Sequence, residues 1–304
     1  MVAKSLVNLG SNLVIADNLE RGYIGRIEDI LKEVKFVKID LREQGNCVRI
    51  TKDIDIVLNF AAKVGGIGYS SSHHDEIFRS NTLITKNLVE SILSNRVSIF
   101  VEISSACIYP KNSPIPITED TIVGNNFEES CAGYAKSKFY TEKYANESLE
   151  SSETKLIIIR PFNIYGPTDY FDEERAHVIP SLIKKACSDS RELSVWGNGE
   201  QARAFTYIHD AVEILLALIE KAPNSVPVNL GHPNDVKIKT VAELINRTAG
   251  TNKPIVYDTS MPTGYLRRSA STDNLYSILG TQYNWTSIET GIERTINWYL
   301  SEYK

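Results

Sequence analysis

The stretch "MVAKSLVNLGSNLVIADNL" (Met1–Leu19) decides the fold. Val2, Leu6 and Leu9 recur at helical spacing, Gly10 interrupts them, and Asn12 to Ala16 is a short β-rich run that closes on Asp17. A helix feeding a strand in this way is the second half of a βαβ unit. Runs of the same kind follow in "VKFVKID", "DIVLNFAA", "SIFVEISS" and "KLIIIRP", most of them separated by helical patterns. Unbroken Val/Ile-rich runs belong to strands covered on both faces, so the sequence predicts an α/β fold built on a doubly wound parallel sheet.

From Gly166 onward the pattern is more mixed. Short strands ("ELSVW", "VPVNLG", "PIVYDT") lie among helices such as "HDAVEILLALIEK" and "KTVAELINRTAG". This predicts a first domain over 1–165 and, over 166–304, mainly a smaller C-terminal α/β lobe that closes on a ligand, with some of the chain returning to the first domain. The chain has 304 residues, 42% of them hydrophobic, which is enough for a large core. Its net charge is −5 and no Lys/Arg run could track a phosphate backbone, so nucleic acid is not an expected partner. No apolar run is long enough to cross a bilayer, and Lys4, Asn8, Gly10 and Asn12 break up any signal-peptide core. No membrane partner and a cytoplasmic location are expected. The four cysteines show no C-x-x-C spacing, so neither a metal site nor a disulfide framework is expected.

A carboxylate at the end of the second strand of a dinucleotide-binding βαβ unit can accept both hydroxyls of an adenosine ribose and repels a 2′-phosphate. Asp17 stands there and favours NAD over NADP; alternatively "DN" simply starts a turn. Asp40 and Leu41, at the end of the third strand, are placed to meet the adenine. Neither Gly65–Gly68 nor Gly22 with Gly25 has the spacing and position of a pyrophosphate loop. The strand and glycine turn that supply that loop would lie ahead of Met1, so about 15 further residues are expected upstream, with Met1 internal or a misassigned start. Without that strand, neighbouring backbone and apolar surface would be exposed.

The chemistry concentrates in two places. "VEISSACIYP" ends a strand at Ser105, and "GYAKSKFYTEKYA" opens a helix with Tyr134 and Lys138 on one face. An ammonium beside a phenol favours its ionised form and makes it a usable base, while a serine hydroxyl grips the same substrate oxygen. Taken alone, a Tyr and Lys at this spacing are as readily explained as a surface pair.

In order along the chain, "VIADNL", "LNFAAKVGG", "SSACIYP", "YAKSK", "RPFNIYGP", "AHVIP", "WGNGEQARAFTYIHD" and "VNLG" resemble the extended short-chain dehydrogenase/reductase family over essentially its whole length. "AAKVGGI", Cys107 and His177 make the likeness strongest to its GDP-L-fucose synthase and GDP-mannose 3,5-epimerase branches. The resemblance implies a Rossmann-like domain that binds NAD(P), a lobe that binds a nucleotide-sugar, and a catalytic Ser105, Tyr134 and Lys138. It places the cofactor along Asp17, Asn18, Asp40, Leu41, Ala61, Ala62, Lys63, Tyr134, Lys138, Pro161, Asn163 and Ile164. It places the substrate along Gly65, Gly66, Ser105, Asn163, Val178, Trp196, Arg203 and Arg267, the two arginines as candidate diphosphate clamps beside a plain surface-charge reading of each. His73, His74, His209 and His232 read as surface or capping residues. A homodimer through the helix bearing Tyr134 is implied as well.

Inverting a carbon beside a ketone means removing its acidified proton on one face and delivering one to the other. Cys107 and His177 are the implied pair, since thiol and imidazole both exchange protons near neutrality. Ala106-Cys107 stands where the family's 4,6-dehydratases carry Asp-Glu, so dehydration is not expected. The leading expectation is an NAD-dependent GDP-hexose epimerase that oxidises C4, inverts C3 or C5 or both, and reduces C4 again. A fucose-synthase-type epimerase-reductase consuming NADPH is the alternative, and a non-catalytic sugar-nucleotide-binding protein gains weight if Met1 is the true start.

Overall fold

A computed structural model describes residues 1–172 and 176–303. Helix α1 (Val2–Asn8) ends at Gly10, whose φ of +77° suits a residue without a Cβ, and leads into β1 (Leu13–Asp17). A 3₁₀ segment over Ile24–Ile30 replaces a full crossover helix before β2 (Val34–Lys38). Then come α2 (Gln44–Ile50), β3 (Ile56–Asn59), α3 (Ile67–Ser72), α4 (His74–Asn95), β4 (Ile99–Ile103), α5 (Ala132–Leu149) and β5 (Lys155–Pro161). Asp75 and Glu76 in the first turn of α4 complement its dipole, and Arg96 closes it in the left-handed region.

Strands β3, β4 and β5 are parallel and adjacent, joined by β10 (Pro227–Leu230) on the far side of β5. The chain thus returns to the first sheet after residue 166. Side chains alternate across this sheet: Phe100, Leu156 and Ile158 pack with Leu88, Ile92, Ala145 and Leu149 of α4 and α5. Val101, Ile157 and Ile159 pack on the other face with Ile214, Leu215 and Leu218 of α7 (Ile208–Lys221) and Leu275 of α9 (Asp273–Leu279). Each such side chain contributes about 1.5–3 kcal/mol on burial, which explains why these runs read as strands despite lacking alternation in sequence.

The expected parallel sheet is present in two pieces. β1 pairs with β2 and β3 pairs with β4, while the facing edges of β1 and β3 both line one cavity of about 1420 Å³. Asp17 is the last residue of β1 and Ser105 follows β4, both at the carboxyl end of the strands, where such sheets bind ligands.

The second lobe joins β7 (Leu193–Trp196) in parallel to β12 (Ile255–Asp258), packed by α6 (Val178–Cys187), α8 (Ile238–Thr248) and α10 (Ile288–Tyr303). Ile179, Leu182, Val195, Val241, Ile245 and Ile296 form its core. Short pairs complete it: β6 (Ile164–Tyr165) with β9 (Thr206–Tyr207), and β8 (Ala202–Arg203) between β11 (Val236–Lys237) and β13 (Arg267–Arg268). No described helix is long and apolar enough to cross a membrane.

Candidate active site

β4 delivers Ser104 and Ser105 into a one-turn 3₁₀ helix over Ala106–Ile108, and the Ser105 Oγ accepts the Cys107 N–H at 3.1 Å. That cap turns Cys107 back beside Ser105. Gly133 lets α5 start against α4: a Cβ there would stand 2.4 Å from the His74 carbonyl oxygen, and its N–H donates to His74 Nδ1 at 3.1 Å. Tyr134 is thereby held where its hydroxyl hydrogen-bonds Ser105 and feels the Cys107 charge.

The Cys107 thiol is lowered from the ordinary range to about 6, first by a hydrogen bond with Cys131, then against the cost of burial, and further by Arg268, Ser105 and Arg203. Arg268 explains much of this field. It is 4% exposed, donates through Nη2 to the carbonyls of Ala106 and Tyr109, and stacks 3.7 Å from the Tyr265 ring. Its Nε and Nη1 find no hydrogen-bond partner among the described residues. A buried guanidinium with unmet donors favours a nearby anion, and the Cys107 thiolate supplies one.

Burial raises the Tyr134 phenol above its usual value, and the charge of Cys107 raises it further, whereas the Ser105 hydrogen bond works the other way. Lys138, expected to favour the ionised phenol, has other partners as well. Its Nζ donates to the Ile103 carbonyl at 2.6 Å and lies 3.5 Å from Glu102 Oε1. Glu102 is fully buried in β4 and also accepts from Asn59 Nδ2 at 2.7 Å and Thr141 Oγ1 at 3.2 Å. The lysine is thus held in a buried ion pair with Glu102.

On the cofactor side, the large cavity is lined by Asp17, Asn18, Asp40, Leu41 and Ala61–Lys63. Both readings of Asp17 find a basis: it borders the cavity, and its Oδ1 accepts the Leu19 N–H at 2.6 Å as a turn-starting Asp does. A Cβ on Gly22 would lie 2.7 Å from that carboxylate, so the Asp17 side chain would have to shift to admit one. Asn18 reaches Glu20 and Asp40, and Asp40 is itself paired to Arg42 at 2.5 Å. Leu41 packs its side chain into the core under α4. Lys63 bridges Glu20 and Glu76, and its backbone is pinned by Asn81, which also donates to Ser137 Oγ on the helix of Tyr134.

Asn163 follows Pro161 with a φ of +34°, donates to the Ala204 carbonyl at 3.4 Å, and leads into Ile164 on β6. Gly66 precedes α3, and a Cβ on Gly65 would meet the Tyr69 ring at 2.8 Å. His177 precedes Val178 at the start of α6; desolvation lowers its imidazole, opposed by Asp169, while Arg21 lowers it further. Trp196 ends β7 half-exposed. Arg203 reaches the Thr263 carbonyl at 3.3 Å and lies in the field of Arg268 and Cys107. Arg267 is not brought to this group: it pairs with Asp235 on the outside of β13. Glu102, Cys131 and Arg268 were not legible as site residues, although an acid inside the apolar run "FVEI" was a signal for the first.

A Rossmann-like parallel sheet with Ser105 after β4 and Tyr134 and Lys138 on α5 is an arrangement of the short-chain dehydrogenase/reductase type. The chain belongs to the NAD dependent epimerase/dehydratase family, whose model matches residues 1–231. It is 28% identical to a GDP-L-fucose synthase of Sinorhizobium fredii, over 99% of this chain and 91% of the relative. It is 30% identical to GDP-mannose 3,5-epimerase 1 of Oryza sativa subsp. indica, over 98% of this chain and 77% of the relative. Among solved structures, the UDP-glucose 4-epimerase of Thermotoga maritima matches its fold with a TM-score of 0.90 at 21% identity, covering 100% of this chain and 95% of that one.

Proposed function

We propose that the protein is an NAD-dependent epimerase of a GDP-hexose, in which Cys107 and His177 exchange protons at C3 or C5 while C4 is transiently oxidised. The observation that carries this reading is the acidified Cys107 thiol beside Ser105 and Tyr134. The GDP-sugar relatives support the substrate class. NAD supplies the hydride acceptor and donor when bound. Asp17, Asn18 and Asp40, with Ala61–Lys63, would hold it, and Asp17 at the end of β1 disfavours a 2′-phosphate.

Ser105 and Tyr134 hold the sugar hydroxyl, and Tyr134, once it has itself given up its phenolic proton, takes the hydroxyl proton during oxidation and returns it during reduction. Cys107, anionic at neutrality, removes the proton made acidic by the adjacent ketone, and His177, kept neutral by desolvation, is the exchange partner for the other face. The two steps are coupled by charge. While Cys107 is anionic it opposes ionisation of Tyr134, and when it takes a proton that repulsion ends. Arg203, which lies in the field of the buried Arg268, would meet the diphosphate. The reading includes a homodimer through α5, the helix of Tyr134, where Tyr140 is exposed; sedimentation as a monomer would remove that part.

Turnover of a GDP-hexose in D₂O tests the chemistry. Deuterium should appear at C3 or C5 without net loss of reduced cofactor, and Cys107→Ser should slow that exchange about 10²–10⁴-fold. Stoichiometric NADPH consumption would favour the epimerase-reductase alternative, and undiminished exchange in Cys107→Ser would refute the role of the thiol.

A further inference from the structure

Cys131 takes no part in the mechanism above, yet it stands against the group that does. Of the cysteines, Cys47 is buried under α4, where desolvation pushes its thiol up to about 12, and Cys187 is buried in the core of the second lobe. Cys107 and Cys131 are both half-buried. Each sits on a 3₁₀ turn, over Ala106–Ile108 and Glu129–Cys131, and their thiols hydrogen-bond each other. Tyr265 ties the two turns together: its hydroxyl donates to the Cys107 carbonyl at 3.4 Å and lies 4.0 Å from Cys131 Sγ. Arg268, stacked beneath the Tyr265 ring, supplies the positive charge on which an anionic sulfur depends.

We propose that Cys107 and Cys131 form a redox modification site that a peroxide closes into a disulfide. In the first step the Cys107 thiolate attacks one peroxide oxygen, the O–O bond breaks, hydroxide leaves, and sulfur is oxidised to a sulfenic acid. In the second step Cys131 gives up its proton, its sulfur bonds to the Cys107 sulfur, the S–O bond breaks, and water leaves. One thiolate, one thiol and one hydrogen peroxide become one disulfide, one water and one hydroxide. The geometry assigns the order of events. Cys131 keeps its proton because it donates to Cys107, so Cys107 is the thiolate that attacks and Cys131 the thiol that resolves. With the bond closed, the catalytic proton carrier is lost; that consequence, though not the bond itself, rests on the function proposed above.

The full chain is exposed to stoichiometric hydrogen peroxide, its remaining thiols are alkylated, and intact mass and peptide maps are recorded. Alkylated after unfolding, the reactive thiols should fall from four to two, the mass of the unalkylated chain should drop by two hydrogens, and one peptide pair should join Cys107 to Cys131, all reversed by dithiothreitol. In Cys131→Ala and Cys131→Ser, dimedone should instead trap a sulfenic acid on Cys107, while Cys47→Ala should form the disulfide as the parent does. The proposal is overturned if both thiols remain alkylatable after peroxide, if the bond joins other cysteines, or if Cys107 accumulates as the dimedone adduct equally with and without Cys131. Because the readout is a covalent bond, its failure is distinguishable from failure of the epimerase reading, which the deuterium exchange measures.

Discussion

The two halves of the site are built in opposite ways. Around Ser105, Cys107 and Tyr134 most polar groups are committed to another, Arg268 Nε and Nη1 excepted: the serine caps the cysteine's turn, the lysine is locked to a buried glutamate, and one thiol donates to the other. Around Asp17 and Ala61 the protein instead presents an open cavity bounded by the facing edges of β1 and β3. Polar groups in a dry interior must be paired by the chain itself, so the chemical half is organised before any ligand arrives. The side chains on the rim of the cavity are paired as well, Asp17 to the Leu19 N–H, Asp40 to Arg42 and Lys63 to Glu20 and Glu76, so this half differs by the open space between its strands.

The sharpest way to break this comparison is through Glu102. Glu102→Ala leaves the Lys138 ammonium buried without its counter-charge and should cost about 3–5 kcal/mol in denaturant unfolding. Replacing both residues with apolar ones, Glu102→Leu with Lys138→Met, should recover most of that loss. Equal destabilisation by the single and double changes would show that the pair is not what holds the lysine.

The cavity half should respond to ligand where the chemical half does not. NAD at a hundredfold excess over its Kd should stabilise the protein by about 2.7 kcal/mol. Slowed amide exchange should concentrate on β1 and β3, with little change along β4 and α5. Uniform protection, or none, would erase the contrast.

A third measurement probes the charge stored at Cys107. Its folded-state value lies near 6, below the ordinary 9.0, so the thiolate predominates above about 6 and alkylation by iodoacetamide should already be near its plateau at neutrality. Cys131→Ala removes the leading cause and should move the midpoint of that profile upward. An unchanged profile would mean that Arg268 and Arg203 account for the shift by themselves.

The smallest effect belongs to Asp40. Hydrogen bonds from Arg42 hold its carboxyl down at about 2, below the unfolded value of 3.8, so the pair's contribution is present above 3.8 and lost as pH falls towards 2. The pair is part-exposed and solvent-screened, so Asp40→Asn should change stability at neutrality by less than about 1 kcal/mol. A loss several times larger would mean that the rim of the cavity is as tightly built as the floor of the chemical site.

Much of this architecture is legible in the order of residues. Buried strands announce themselves because a sheet covered on both faces demands unbroken apolar runs, as in "KLIIIRP". Tyr134 and Lys138 can be paired because helical spacing fixes which residues share a face, and Ser105 because it follows a strand. Arg268 cannot be told from Arg267 in this way. Neighbouring residues on a short strand point to opposite sides, and which side is inward depends on what packs there.

By itself, then, the sequence determined the order of strands and helices and the residue types available for proton and hydride chemistry, because local periodicity and spacing are properties of the chain alone. The tertiary structure decided that Lys138 binds Glu102, that Cys131 meets Cys107, and that Arg268 lies beneath both. Those pairings join segments far apart along the chain, and charge and desolvation act through space, so no local pattern encodes them.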